Sequence, residues 1–186
     1  HTGSDVARAY SEVPIRSTLK PGGKAWFVGA GGPMGRMHVQ RAIESEESPG
    51  TIVCTDISDE RLDDLCTSFK AEAISKGIEF LCLNPMNKER YAEAMARFKD
   101  EGFDDIIILA PVPPVIADAS TYLAPEGVMN IFAGVPRGKY AKIDLSGIYM
   151  DQIRVIGHSA STIDNMTTML FQAETGQLSP NRSVAA

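Results

Sequence analysis

Residues 24–38 constrain the fold of this chain more than any other stretch. Lys24-Ala-Trp-Phe-Val28 reads as a short apolar strand, and Gly29-Ala-Gly-Gly-Pro-Met-Gly35 follows it without a spacer. A helical pattern, about residues 34–45, starts inside that glycine cluster. A strand that runs through glycines straight into a helix points unsatisfied backbone N–H groups and a positive dipole end outward. A second short β-branched strand, residues 51–56, ends on Asp56, 21 positions after Gly35. Such a turn suits phosphate, and a carboxylate at that distance suits a ribose diol, which is the dinucleotide-binding arrangement.

The remaining pattern extends this unit. Residues 4–19 carry Val6, Ala9 and Val13 behind a capping Ser4 and predict a helix remodelled at Pro14, closed by Lys20-Pro21-Gly22-Gly23. After Asp56, with Ser58 or Asp59 as cap, Leu62, Leu65, Cys66, Phe69 and Ala73 form a helical stripe that ends at Gly77. A strand over 78–83, a loop over 84–87 and a helix bearing Tyr91, Ala94, Met95 and Phe98 come next, closed by Gly102. A strand over 105–110 has a core, Ile106-Ile-Ile-Leu109, that is apolar on both faces, as a central parallel strand requires. Beyond Pro111-Val-Pro-Pro114 a helix is expected over 115–123, stopped by Pro125-Glu126-Gly127, then a strand over 128–133. A loop over 134–142, a short helix, a strand over 153–157 and a helix over 162–175 complete the pattern. That last helix is expected to turn Ile163, Met166, Leu170 and Ala173 inward. Six strands alternating with helices predict an α/β fold, a doubly wound parallel sheet of order 3-2-1-4-5-6, in a single Rossmann domain spanning 1–186.

Composition excludes several classes. A net charge of −6 opposes a nucleic-acid surface, which needs clustered Lys and Arg. The longest apolar run, residues 106–117, contains three prolines and is too short to span a bilayer. Cys54, Cys66 and Cys82 show no paired metal-ligand spacing and read as buried free thiols, which implies a reducing, cytoplasmic compartment. The three histidines are scattered, so no metal ligands are assigned within this chain.

In a doubly wound sheet, ligands lie across the carboxyl ends of the strands. The glycine turn places Ala30, Gly31, Gly32, Pro33, Met34 and Gly35 at the six fingerprint positions, with alanine where the first glycine belongs. Gly29 is the alternative turn glycine, in a loop one residue longer. Asp56 is expected to accept the ribose hydroxyls and to repel a 2′-phosphate, which favours NAD over NADP. Arg61 is placed to lie over the adenine or to reach a phosphate. Ala110 and Pro111 (with Val112), then Ala133, Gly134 and Val135, then His158 (between Gly157 and Ser159) are nominated for the nicotinamide half. His38 reads as a packing or surface residue, and Arg137, Lys139 and Lys142 form a basic loop able to meet a phosphate.

These segments resemble the coenzyme domain of the medium-chain dehydrogenase/reductase superfamily, the zinc alcohol and polyol dehydrogenases. The resemblance is carried by Lys20-Pro-Gly-Gly, Gly32-Pro-Met-Gly35, Asp56, Gly127-Val-Met-Asn-Ile-Phe-Ala-Gly-Val135, Ile143-Asp-Leu145, Arg154-Val-Ile-Gly-His158 and Gln177-Leu-Ser-Pro180. It covers nearly the whole chain and is closest to polyol or sugar dehydrogenases, including sorbose-phosphate reductases. It implies a GroES-like catalytic domain in cis, here missing, that supplies zinc and the substrate pocket, so this piece assigns no catalytic residue of its own. It also implies a homodimer joined edge to edge along the sixth strand, with residues 149–155 as the candidate interface. Two other readings remain open: an S-adenosylmethionine methyltransferase, and a non-catalytic nucleotide sensor. A short-chain dehydrogenase is disfavoured because no Tyr-x-x-x-Lys pair occurs.

Overall fold

The structure, a computed structural model, describes residues 18–157 and 163–177. Its elements run β1 (Lys24–Val28), α1 (Pro33–Glu44), β2 (Thr51–Thr55), α2 (Asp59–Ser75), β3 (Glu79–Leu83), α3 (Lys88–Glu101), β4 (Phe103–Ile108), α4 (Pro113–Ser120), β5 (Leu123–Ile131), α5 (Ser146–Met150), β6 (Arg154–Gly157) and α6 (Ile163–Glu174). All strands pair in parallel, in the order β3-β2-β1-β4-β5-β6. The doubly wound six-stranded sheet expected from the alternation is therefore present.

Alternating side chains divide the core into two layers. Ala25, Phe27, Ile52, Cys54 and Ile107 face Val39 and Ile43 of α1 and Leu65 and Phe69 of α2. Trp26, Val28, Val53, Ile106 and Ile108 face Met95 and Phe98 of α3 and Ile116 of α4. β4 is buried at every position, as a strand covered on both sides must be. The Trp26 indole N–H donates to Thr55 Oγ1 at 3.0 Å, which satisfies the one polar atom of a buried ring.

Lys20-Pro-Gly-Gly is tied to the opposite end of the sheet from the glycine turn. The Lys20 backbone N–H donates to Asp105 Oδ2 and the Lys24 N–H to Asp104 Oδ2, each at 2.8 Å. The Lys20 ammonium meets Asp104 Oδ1 at 2.5 Å. Burial pushes the Asp104 carboxyl up, but Lys20 and the Lys24 N–H outweigh it and hold it below the usual carboxylate range.

Three expectations need correction. The Pro125-Glu126-Gly127 stretch does not end a helix; it lies inside β5, and α4 stops at Ser120. The pairing jumps from Phe103↔Leu123 to Asp105↔Val128, so the extra residues form a bulge where proline, lacking an N–H, breaks no ladder bond. Glu126 takes φ +62° there and donates its N–H to Asp151 O. The cysteines are not all free: Cys66 on α2 and Cys82 on β3 form a disulfide, and only Cys54 remains a buried thiol. Finally, α6 buries none of its residues; Ile163, Met166 and Leu170 are all more than half exposed. The predicted N-terminal helix lies largely outside the described residues.

Candidate functional site

At the carboxyl end of β1 the chain turns through Gly29, whose φ of +83° only glycine adopts without strain. The Gly29 and Ala30 N–H groups both donate to Thr55 O, at 2.8 and 2.9 Å, which locks the turn against β2. Gly29 is thus the left-handed residue. Ala30, at the fingerprint's first glycine position, is buried and carries no positive φ. A Cβ on Gly29 would also lie 3.0 Å from Ala110 Cβ, so this glycine brings the end of β4 against the turn.

The other glycines serve separate purposes. A Cβ on Gly35 would stand 2.2 Å from Ala30 O, so α1 packs against the turn closer than any side chain allows. A Cβ on Gly31 would strike Arg61 Cβ at 2.6 Å and Asp56 Oδ2 at 2.8 Å. Gly32 is different: its Cβ position is open, with no atom within 4 Å. Gly32 caps α1 without any side-chain hydrogen bond, and Pro33 fills the first helical position. An open approach over an uncapped helix N-terminus is the geometry a diphosphate requires. Those residues fit a dinucleotide.

Asp56 is buried beside the turn and anchored twice. Oδ2 accepts the Gly31 N–H at 2.9 Å and Oδ1 accepts the Ser58 N–H at 3.1 Å. Ser58 itself is the cap of α2, accepting from the Arg61 N–H at 3.3 Å. The Asp56 carboxylate is therefore not spent on capping. Each oxygen keeps lone-pair capacity for one further donor, which suits a vicinal diol. Arg61 is exposed, with its β-carbon over Gly31.

The neighbouring strand ends supply small residues. Leu109 donates its N–H to Val28 O, and the Phe132 and Ala133 N–H groups both donate to Ile108 O. These bonds carry Ala110 and Ala133 alongside the turn, followed by exposed Pro111 and Gly134, while Val135 packs on the core. Met34, on the first turn of α1, is 44% exposed. The structure thus gathers the glycine turn, Asp56, Arg61 and Ala110 at the carboxyl end of the interior strands β1, β2 and β4. His158 lies outside the described residues. His38 packs edge-on against Phe132, with ring centroids 4.5 Å apart, and its Nδ1 donates to Met34 O at 2.7 Å. Burial lowers its pKa despite the Met34 carbonyl, so the ring favours the neutral form. Among the described residues no three His, Cys, Asp or Glu side chains converge as metal ligands, and no helix is long and apolar enough to cross a membrane.

Arg36 escaped the sequence reading. It is buried in α1, paired with Asp64, bonded through Nη2 to Ser68 Oγ at 2.9 Å, and 5.4 Å from the centre of the Phe69 ring. It therefore fixes α2 against the helix that carries the turn. An arginine one residue past a glycine looks like a surface cation, and only the i, i+4 placement of Asp64 and Ser68 hints otherwise.

No family model matches the chain. It is 34% identical over 170 residues to the uncharacterised protein YggP of Escherichia coli K12, spanning 89% of this chain and 40% of that one. It is 28% identical to mannitol-1-phosphate 5-dehydrogenase of Aliivibrio fischeri over 88% of the chain and 39% of the relative. Identity to L-sorbose 1-phosphate reductase of Klebsiella pneumoniae is also 28%, over 84% and 38%. The chain thus spans about 40% of the length of the relatives it matches. Its fold matches an alcohol dehydrogenase of Escherichia coli CFT073 complexed with NADH (TM-score 0.67, 19% identity, 88% of this chain and 44% of that one). It also matches a zinc-binding dehydrogenase of Sinorhizobium meliloti bound to NADP (TM-score 0.66, 17% identity, 89% and 45%), and alcohol dehydrogenase TADH of Thermus sp. ATN1 (TM-score 0.67, 20% identity, 88% and 43%). The likeness to the coenzyme-binding half of alcohol and polyol dehydrogenases is present in both sequence and fold.

Proposed function

From a chain whose relatives and fold are those of alcohol and polyol dehydrogenases, we propose that it is the NAD(H)-binding domain of a zinc-dependent alcohol, polyol or sugar oxidoreductase. The observation that carries this reading is Asp56, held by the Gly31 N–H at the open helix end instead of being used as a cap. When bound, the nicotinamide supplies the hydride. The chain's own residues bind and orient: Gly32 and the N-terminus of α1 hold the diphosphate, and Asp56 holds the adenosine ribose. Ala110, Pro111, Ala133, Gly134 and Val135 line the nicotinamide side. The Asp56 carboxylate disfavours a 2′-phosphate and so selects NAD over NADP.

Three wider parts of the reading are supported by resemblance. Zinc and the substrate pocket are assigned to a GroES-like domain in cis, which the resemblance to zinc dehydrogenases implies. The substrate class is a polyol or a sugar phosphate, with the exposed Arg137, Lys139 and Lys142 available to a phosphate. Two copies join along β6, the last strand of the sheet, next to the exposed Tyr149 and Met150. The reaction is taken to run in the cytoplasm, as the resemblance to polyol dehydrogenases implies.

The test is titration of the chain with NADH, following energy transfer from the single tryptophan, Trp26, to the dihydronicotinamide. Saturation below millimolar NADH, with weaker NADPH and no alcohol turnover, is the expected result. A flat titration at millimolar NADH refutes the reading.

A further inference from the structure

We propose that Cys66 and Cys82 form a reversible thiol–disulfide exchange site whose state sets how firmly Asp56 is held for the coenzyme. The second half of that statement rests on the dinucleotide reading above. Cys66 lies on α2 and Cys82 on β3, joined with their Cα atoms 6.6 Å apart, a separation that suits a disulfide. Both side chains are half-buried and both line one cavity, together with Asp59, Leu62, Asn84 and Arg90. A small thiol therefore has a route to the sulfur atoms. Cys54, directly across the β2–β3 pairing from Cys82, has none: it is fully buried and burial pushes its thiol pKa far up. Of three cysteines, one is inert and two are placed for exchange.

The same cavity wall touches the adenosine end of the site. Two residues after Cys82, Asn84 donates through Nδ2 to Ile57 O at 3.1 Å and to Asp59 Oδ1 at 2.7 Å. Ile57 adjoins Asp56, and Ser58 in the same turn donates to Asp56 Oδ1. The disulfide thus joins β3 to α2 on both sides of the turn that presents the carboxylate. With the bond formed, the strand end, the Asn84 clasp and the first turns of α2 move as one body. With it broken, two hydrogen bonds from Asn84 are what ties β3 to residues 57–59.

The chemistry is ordinary exchange with a low-molecular-weight disulfide of the glutathione type. One cysteine thiolate attacks that disulfide and displaces one thiolate. The second cysteine thiolate then displaces the other. One disulfide is broken and one is made, two protons leave the protein thiols, and two electrons pass to the reagent.

The experiment equilibrates the 186-residue chain in glutathione redox buffers, traps thiols by alkylation, and reads mass and NADH affinity on the same samples. The expected result is a two-electron transition in which two alkyl groups appear on Cys66 and Cys82 and none on Cys54. Reduction should weaken NADH about fivefold, the low end of typical coupling between sites. By linkage, saturating NADH should then lower the midpoint potential by about 20 mV, since a tenfold change is about 30 mV for two electrons. The Cys66→Ser/Cys82→Ser double variant, checked for folding by circular dichroism, should match the reduced wild type and ignore the buffer. Alkylation of both thiols at every buffer composition overturns the exchange site. A disulfide that forms without changing NADH affinity overturns the coupling. If NADH binds in neither state, the dinucleotide reading and the coupling both fall, while the mass shift still decides the exchange site.

Discussion

Asp56 Oδ2 accepts the Gly31 N–H at 2.9 Å, and that bond joins the end of β2 to the glycine turn after β1. The carboxylate therefore has a structural task as well as a ligand-facing one. Asp56→Ser should show both. A serine oxygen is too short to reach Gly31 and Ser58 together, so stability should fall by about 1–3 kcal/mol, the cost of stranding buried donors. The NADH/NADPH affinity ratio should drop by at least about tenfold, or 1.4 kcal/mol. Parallel titrations of both coenzymes check this, and an unchanged ratio rules out the assigned role for Asp56.

Gly32 and Gly35 sit three residues apart and should fail in different ways. Gly35→Ala drives a Cβ to 2.2 Å from Ala30 O, a backbone atom that cannot step aside. The loss should be about 3 kcal/mol, lowering Tm by about 6–10 °C for a domain of this size. Gly32 has φ −78° and open space at its Cβ, so Gly32→Ala should leave Tm within about 1–2 °C. Its methyl would instead occupy the path of the diphosphate and weaken NADH. Calorimetric melts beside NADH titrations separate the two effects, and equal melting losses would contradict the packing described.

Asp104 should shape the acid limb of stability. Its carboxyl is held below the ordinary range in the folded chain, against about 3.9 unfolded. A depressed folded pKa contributes stability that is complete above the unfolded value and is lost as pH falls through the folded one. Wild type should therefore weaken below about pH 4, and Asp104→Asn should show a shallower acid loss. At neutral pH the variant should lose at most about 1 kcal/mol, because Lys20 is half exposed and water screens the pair. Urea midpoints from pH 3 to 7 give the comparison; superimposable acid limbs would remove Asp104 from the account.

Arg36 raises a question of shape against charge. Arg36→Ala opens a gap over Phe69 and should cost about 2–3 kcal/mol. Arg36→Met keeps most of the volume, and Asp64, 65% exposed, can return to water. A half-exposed ion pair contributes little once apolar bulk fills the space, so the methionine variant should recover most of the loss. If both variants melt alike, the hydrogen bonds to Asp64 and Ser68 matter more than the packing.

Much of this fold was legible because burial repeats at fixed periods. Val28, Val53 and Ile106 lie in strands whose apolar character, with helical stripes such as Leu62-Leu65-Phe69 between them, leaves few alternatives to a doubly wound sheet. What escaped had no local signature. Pro125 reads as a breaker until β5 shows a bulge able to take it in. Leu170 and Met166 share one side of α6, but periodicity says which residues share a side and not what covers it. Cys66 and Cys82 are 16 residues apart in sequence, and only the packing of α2 on β3 brings them into bonding range. Of the site, the turn and Asp56 were visible from spacing, whereas the Arg36 brace depended on a helix pairing that sequence does not print.

The left-handed conformation at Gly29 bears on how such turns are recognised in other chains. Searching for a strict Gly-x-Gly-x-x-Gly string passes over this sequence, because the residue that reverses the backbone stands one place ahead of the first slot. Inserting the expected letter brings no benefit: Ala30→Gly adds backbone freedom to the unfolded chain where no positive φ is needed, a loss of about 0.5–1 kcal/mol. A useful descriptor of this turn is a list of backbone requirements, namely one reversal, one open approach and one close packing contact, each free to slide along the string by a residue.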